Sequence, residues 1–198
     1  MTTAIVDIET DSLDPKVIHC IVAKSLNTGS IKTWIGSNCY NFAKWSTQID
    51  QFIMHNGLSF DAPILNRLIG SSIKPNQVRD TLIESQLYNP IREGGHSLKT
   101  WGKKLNFQKG EFNEFKNYNE DMLKYCIRDT ELTGRVASVL AEEGRKFSPE
   151  AYQLEQQVRL IINQQEKNGF AFNLKDATIL LAKLEDEQHL LENKSLDI

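Results

Sequence analysis

Thr2-Thr3-Ala4-Ile5-Val6-Asp7-Ile8-Glu9-Thr10 reads as a β-strand that ends on a pair of acids. Side chains alternate between the faces of a strand, so Ala4, Val6 and Ile8 form a face fit for a core while Ile5, Asp7 and Glu9 share the other. Two carboxylates that close raise each other's pKa unless positive charge sits between them. A divalent cation would supply it. A solvated strand edge would relieve the repulsion equally well, and one D-x-E does not decide between the two.

The rest of the chain supplies partners for this strand. Asp11-Ser12-Leu13-Asp14-Pro15 is a turn, Val17 to Ser25 a second strand, Asn27-Thr28-Gly29-Ser30 a hairpin loop, and Ile31 to Ile35 a third strand. Asn41 to Ile49 is read as a short helix, and Phe52-Ile53-Met54-His55-Asn56-Gly57 as a buried strand delivering Asn56 to its end. Asp61 opens a helix through Ile69, with Pro63 in its first turn and Gly70 closing it. At that position an acid is ordinarily a helix cap, and it is equally placed to join a ligand shell. Val78 to Leu82 is a short fifth strand, Ile83 to Tyr88 a helix, Pro90 to Gly95 a mobile loop, and His96 to Leu105 a helix with Leu98, Trp101 and Leu105 on its core side.

From Asn119 to Glu143 the spacing predicts a long helix, capped by Asn119, with Glu120 and Asp121 in the first turn where the helix dipole favours them. Tyr125 and Asp129, four residues apart, share one face of it. Ser148 to Lys167 forms a further helix, stopped by Asn168-Gly169, and Leu174 to Asn193 a last one bearing a leucine stripe. The expected architecture is α/β, a mixed five-stranded sheet flanked by helices. A composition change near 144 to 149 divides it into a domain over 1–146 and a helical extension over 147–198.

Composition narrows the function. With 198 residues, 40% hydrophobic and 25% charged, the chain is neither disordered nor fibrous. A net charge of -3 argues against coating long nucleic acid by electrostatics alone, yet leaves room for an enzyme that grips a few nucleotides through bound cations. Three cysteines without a C-x-x-C spacing indicate neither a disulfide framework nor a zinc site, and read as buried apolar residues in a reducing compartment. His19 and His55, beside apolar runs, read as structural. The absence of a signal segment or an apolar run of membrane-spanning length leads to the expectation of a soluble, cytoplasmic protein with no membrane partner, in the host cytoplasm if phage-encoded.

In a mixed sheet the ends of neighbouring strands form a crevice where ligands collect. Asp7 and Glu9 lie at one strand end, Asn56 and Asp61 just past another, and the long helix can lay Tyr125 and Asp129 against the same crevice. D-I-E-T-D-S-L-D (7–14), H-N-G-L-S-F-D (55–61) and Y-C-I-R-D (125–129) resemble the three motifs of the 3′–5′ exonucleases that carry four acids and a tyrosine on a ribonuclease-H-like fold. They are similar, more narrowly, to the proofreading domain of family A DNA polymerases, as is G-H-S-L-K-T-W-G (95–102) followed by Lys109-Gly110-Glu111, in the manner of replicative polymerases of short-tailed phages. Gln165 to Asn173 resembles the passage from exonuclease into the polymerising part, most of which this sequence does not contain.

The resemblance implies hydrolysis of single-stranded or frayed DNA 3′ ends to 5′-mononucleotides with two divalent ions, magnesium or manganese, about 3.5 to 4 Å apart. It implies that Asp7, Glu9 and Asp129 hold one ion, that Asp7 bridges to the second, and that Asp61 holds the second largely through water. Tyr125 would orient the attacking water, because a phenol with an ordinary pKa of about 10 is a poor base. Leu13 matches an apolar wedge beside the last base, Asn56 and Phe60 contacts to the terminal nucleotides, and Thr10 a main-chain contact to the 3′ end; for Phe60 plain core packing is an equal reading. Two alternatives stand beside this one: a 3′–5′ exoribonuclease, and a subunit whose C-terminal helices dock on a separate DNA polymerase. Lys99, Lys103, Lys104 and Lys109 form either a solvated helix face or a track for phosphates.

Overall fold

β1 (Thr3–Thr10) is the middle strand of a five-stranded sheet ordered β3-β2-β1-β4-β5 in the computed structural model, which describes residues 1–108, 110 and 112–196. It pairs antiparallel with β2 (Ile18–Ser25), which pairs antiparallel with β3 (Ile31–Ile35). On its other side it runs parallel to β4 (Gln51–Met54), and β4 parallel to β5 (Val78–Asp80). This is the mixed sheet expected of a ribonuclease-H-like fold. The fifth strand is shorter than its sequence suggests, because Asp80 turns from strand to helix cap and accepts the amide of Leu82 at 2.9 Å.

The alternation read from β1 holds, but both of its faces are covered. Ala4, Val6 and Ile8 lie in the larger core with Phe42 of α1 (Tyr40–Ser46), Phe52, and Ala62, Ile64 and Leu65 of α2 (Asp61–Ile69). Ile5 faces the opposite way, onto Ile53 and Ala137 of α5 (Glu120–Glu143). The long helix therefore crosses the face that carries Asp7 and Glu9. It starts where the sequence places it, with the Asn119 side chain accepting the amide of Met122 at 2.8 Å. Against its outer side pack α3 (Thr81–Tyr88) and α4 (Leu98–Lys104), through Leu98 and Trp101 on Leu132, Val136 and Leu140.

The loop of residues 90–95, expected to be mobile, is anchored. Arg92 is buried, forms a two-pronged pair with Glu143 and lies 4.4 Å from the centre of the Trp101 ring.

The chain divides into one compact body from Met1 to Asn163 and a second that begins at Gln164. Most of α6 (Pro149–Asn168) belongs to the first. There it seals the open edge of β5: the Tyr152 hydroxyl accepts the amide of Asp80 at 2.7 Å, and the Gln156 amide group donates to the Val78 carbonyl at 2.7 Å. The helix expected to open a separate extension at residue 147 is thus, through Asn163, part of the sheet domain's packing. In the second body Gly169 takes a left-handed φ of 66° after α6, and α7 (Leu174–Leu196) follows, with Leu180, Leu184 and Leu191 all more than half exposed. No helix among the described residues is long and apolar enough to cross a membrane.

Candidate active site

Pairing of β1 with β4 stops at Ile5 and Ile53, so the last half of β1 runs on beyond the end of its parallel neighbour. That offset opens a crevice at the strand ends. Asp7 and Glu9 line it from β1, lying opposite Val22 and Cys20 of β2 in the antiparallel register.

The chain after β4 fills the far side of the crevice. Asn56 adopts φ 65°, the left-handed region that asparagine tolerates better than most residues. Gly57 follows because a Cβ there would lie 2.2 Å from Cβ of Met54. The turn is clasped by the carboxylate of Asp80, only 1% exposed, which accepts the amides of Asn56 and Leu58 at 3.0 Å each. From α6 the Asn163 side chain donates to the Leu58 carbonyl at 3.1 Å and accepts the Ser59 hydroxyl at 2.9 Å. Asp61 emerges from this clamped turn as the first residue of α2, after Phe60 at the cap position.

α5 brings the remaining groups. It lies so close to β1 that a Cβ on Gly134 would sit 2.7 Å from Cδ1 of Ile5, and this approach carries Asp129, 2% exposed, onto the crevice. Tyr125 stands one turn earlier, half-buried, with Phe112 and Phe115 rings 5.7 and 6.3 Å away.

One cavity of about 480 Å³ is lined by Asp7, Glu9, Thr10, Leu13, Asn56, Phe60, Asp61, Tyr125 and Asp129. Every site residue read from the sequence meets there. Leu13, at 91% exposure, stands at the rim as an apolar side chain in solvent, on a loop tied to α2 by Arg67, which donates to Asp14 at 3.0 Å and to the Pro15 carbonyl at 2.8 Å. Phe60 serves both readings, lining the cavity and packing on the core. Lys104 lies 5.7 Å from the Trp101 ring centre, and Trp101 is core, as expected; Lys109 and Glu111 lie outside the described residues.

Electrostatics test whether cations fit. The residues lining the cavity include no lysine or arginine. Burial pushes the Asp61 carboxyl up to about 7; its own amide and that of Ile8 oppose the rise, and the nearby Asp80 carboxylate adds to it. Ligand atoms of Asp7, Glu9 and Cys126 lie within 4.8 Å of one another. Burial, contact with Cys20 and the charges of Asp7 and Glu9 push the Cys126 thiol well up, and its Sγ lies 3.4 Å from an Asp7 carboxylate oxygen. The four carboxylates offer hard oxygen donors, which suit magnesium or manganese.

Two contributors escaped the sequence reading. Asp80 is a lone acid whose partners are distant amides, although an acid just before a helical run is a cap signal. Cys126 sits inside Y-C-I-R-D and carried no signal beyond its place in that motif.

No family model matches the chain. The DNA-directed DNA polymerases of Escherichia phage T7 and Enterobacteria phage T3 are each 27% identical to it over 159 residues, covering 63% of this chain and 22% of the polymerase. The chain thus spans about a fifth of the length of these curated relatives. Among solved structures, Brucella melitensis NrnC bound to pGG superposes with a TM-score of 0.65 at 18% identity, covering 87% of this chain and 90% of that one. NrnC with bound Mg2+ gives 0.62 over the same shares at 18% identity. Phi29 DNA polymerase in its ternary complex with primer-template DNA and incoming nucleotide gives 0.51 at 12% identity, covering 81% of this chain and 34% of the polymerase. The resemblance to phage DNA polymerases read from three short motifs is matched by these relatives, and the fold is shared with the solved structures.

Proposed function

We propose that this chain is a divalent-metal-dependent 3′–5′ exonuclease that trims single-stranded or frayed DNA ends to 5′-mononucleotides. The observation that carries the reading is the gathering of four carboxylates, from β1, the start of α2 and α5, around one cavity whose lining includes no lysine or arginine. Acids so placed are held together by cations in the working state.

Asp7, Glu9 and Asp129 are the residues to hold one ion, and Asp61, with Asp7, a second. Bound there, magnesium or manganese supplies positive field to the phosphate oxygens and the leaving 3′ oxygen and lowers the pKa of water. The protein's own groups select and orient the strand. Leu13 stands where it can lie against the terminal base, Asn56 and Phe60 border the nucleotide it belongs to, and Thr10 offers main-chain groups to the 3′ end. Tyr125, one turn before Asp129, orients the attacking water through its hydroxyl. A cavity of about 480 Å³ is the size of a site for one small ligand, so a terminal pair must fray before its 3′ nucleotide enters.

The test is Asp7→Ala. Loss of its share of metal placement should lower the magnesium-dependent release of 5′-mononucleotides by at least ~10³-fold, about 4 kcal/mol of barrier, with the fold intact. Unimpaired release rejects the assignment. The choice of DNA follows the sequence relatives, which are DNA polymerases. Matched DNA and RNA oligonucleotides test it, since the carboxylates see only phosphate and discrimination rests on the 2′ hydroxyl. A second reading, docking of the helices beyond Asn163 on a separate polymerase chain, is favoured by the exposed Leu180, Leu184 and Leu191. Light scattering of the mixture with the cognate polymerase decides it.

A further inference from the structure

Tyr125 also lines a second cleft, larger than the first at about 780 Å³. Lys99 and Lys103 of α4 and Arg128 of α5 line it, with Gln108 and Asn113 between them, and no carboxylate among the described residues does so. Lys99 and Lys103 are exposed, one turn apart on the same helix face, and neither takes part in an ion pair among the described residues. Arg128 is held in place: its guanidinium lies 4.2 Å from the centre of the Phe107 ring and donates to the Gln108 carbonyl. Tyr125 lines both clefts, and Phe112 beside it lines the basic one and not the carboxylate cavity. A cavity that gathers carboxylates and a cleft that gathers cations therefore share the Tyr125 side chain.

We propose that the Lys99–Lys103–Arg128 cleft is a phosphate track for the strand on the 5′ side of the bond being cut. The inference rests on the exonuclease reading and deepens it. A 3′–5′ exonuclease places a single nucleotide on the 3′ side of that bond, and this nucleotide occupies the carboxylate cavity. Any second site for the same strand must then take the nucleotides upstream. Their phosphates need cations that are not consumed by internal pairs, and Lys99 and Lys103 meet that condition among the described residues. The aromatic wall of Tyr125 and Phe112 gives the intervening base a face to stack on. The track recognises phosphate and an extended strand, so it serves any single-stranded polynucleotide longer than a dinucleotide.

The test separates binding from hydrolysis. Anisotropy of a 5′-labelled single-stranded DNA decamer, measured in EDTA so that nothing is cut, compares wild type with Lys99→Gln, Lys103→Gln and the double variant. Arg128 is left alone because its stacking on Phe107 makes its loss structural as well. The double variant should bind on the order of tenfold more weakly at low salt, and its plot of log affinity against log salt should be shallower by about 1.4, at roughly 0.7 per phosphate contact on a single strand. With magnesium, KM for the decamer should rise while kcat holds, and cleavage of a dinucleotide should not change. Unchanged affinity and slope in the double variant, or an equal loss on the dinucleotide, overturns the track. A wild type that cuts 3′ ends while its double variant binds normally disposes of the track alone; lysine-dependent binding without any magnesium-dependent hydrolysis upholds the track and removes the exonuclease.

Discussion

Asp61 provides the sharpest test of the electrostatics, because its effect on stability is opposite to its effect on activity. With its carboxyl at about 7 in the folded protein against 3.8 in an unfolded chain, the folded state binds this proton more tightly. Stability from this group is therefore whole below about pH 3.8 and is lost progressively as pH rises to about 7. At pH 8 without metal the ionised, buried side chain costs the folded state about 4 kcal/mol. Asn fills the same space and carries no charge at any pH. In EDTA, Asp61→Asn should therefore be more stable than wild type by a margin about 3 kcal/mol wider at pH 8 than at pH 5. Asp80, whose carboxyl burial also pushes up, is coupled to Asp61 by charge, so the margin reports the titration of the pair and not of Asp61 alone.

Urea unfolding followed by tryptophan fluorescence suits the measurement. Trp34, Trp45 and Trp101 all lie in the body from Met1 to Asn163, so the signal reports the part that holds the site. Magnesium at a hundredfold excess over its Kd should stabilise wild type by about 3 kcal/mol and close much of the gap, while the variant loses nuclease activity. A margin that stays flat from pH 5 to 8 in EDTA would show that Asp61 is not held against its charge, and the reasoning for a cation beside it would fail.

Other perturbations separate recognition from stability. Leu13→Ala removes a side chain that is 91% exposed, so the unfolding free energy should move by less than about 0.5 kcal/mol, while the preference for single-stranded over blunt 3′ ends, read from paired digestion rates, should shrink. Arg92→Ala strands Glu143 and empties the face of Trp101; the loss should be about 3 kcal/mol in urea titrations, and a loss below 1 kcal/mol would mean the loop is not pinned by this pair. A chain ended after residue 146 should be less stable and less active than one ended after Asn163, since it bares the β5 edge and frees the Leu58 carbonyl; equal melting of the two would show that α6 contributes nothing to the site.

The sequence made legible whatever depends on neighbours in the chain. Strand alternation in β1, the Asn119 cap and the Tyr125–Asp129 spacing are set within a few residues, and all three stand in the structure. Features set by distant partners were not legible. Nothing around Arg92 announces Glu143, fifty-one residues later, so a Gly-rich stretch read as mobile is in fact tied down. Nothing in Tyr152 or Gln156 shows that they stand in for the missing neighbour of β5, which is why a composition change near residue 147 looked like a seam. Cys126 read as filler because a thiol's role beside a carboxylate depends on a contact across 119 residues.

These distant contacts share a purpose at the cavity. Buried acids placed side by side would swing apart or draw in water if their backbone could yield, and each one here sits on backbone held by something else. Sheet pairing with β2 fixes Asp7 and Glu9. The Asp80 clasp and Asn163 fix the turn that delivers Asp61, and the close approach at Gly134 fixes Asp129. Asp80 is the instructive member: as a further acid near the site it raises the pKa of Asp61, yet its oxygens are turned to the amides of Asn56, Leu58 and Leu82. An acid whose oxygens are taken by the amides of a turn positions that turn, and burial alone does not tell it from the acids that face the cavity.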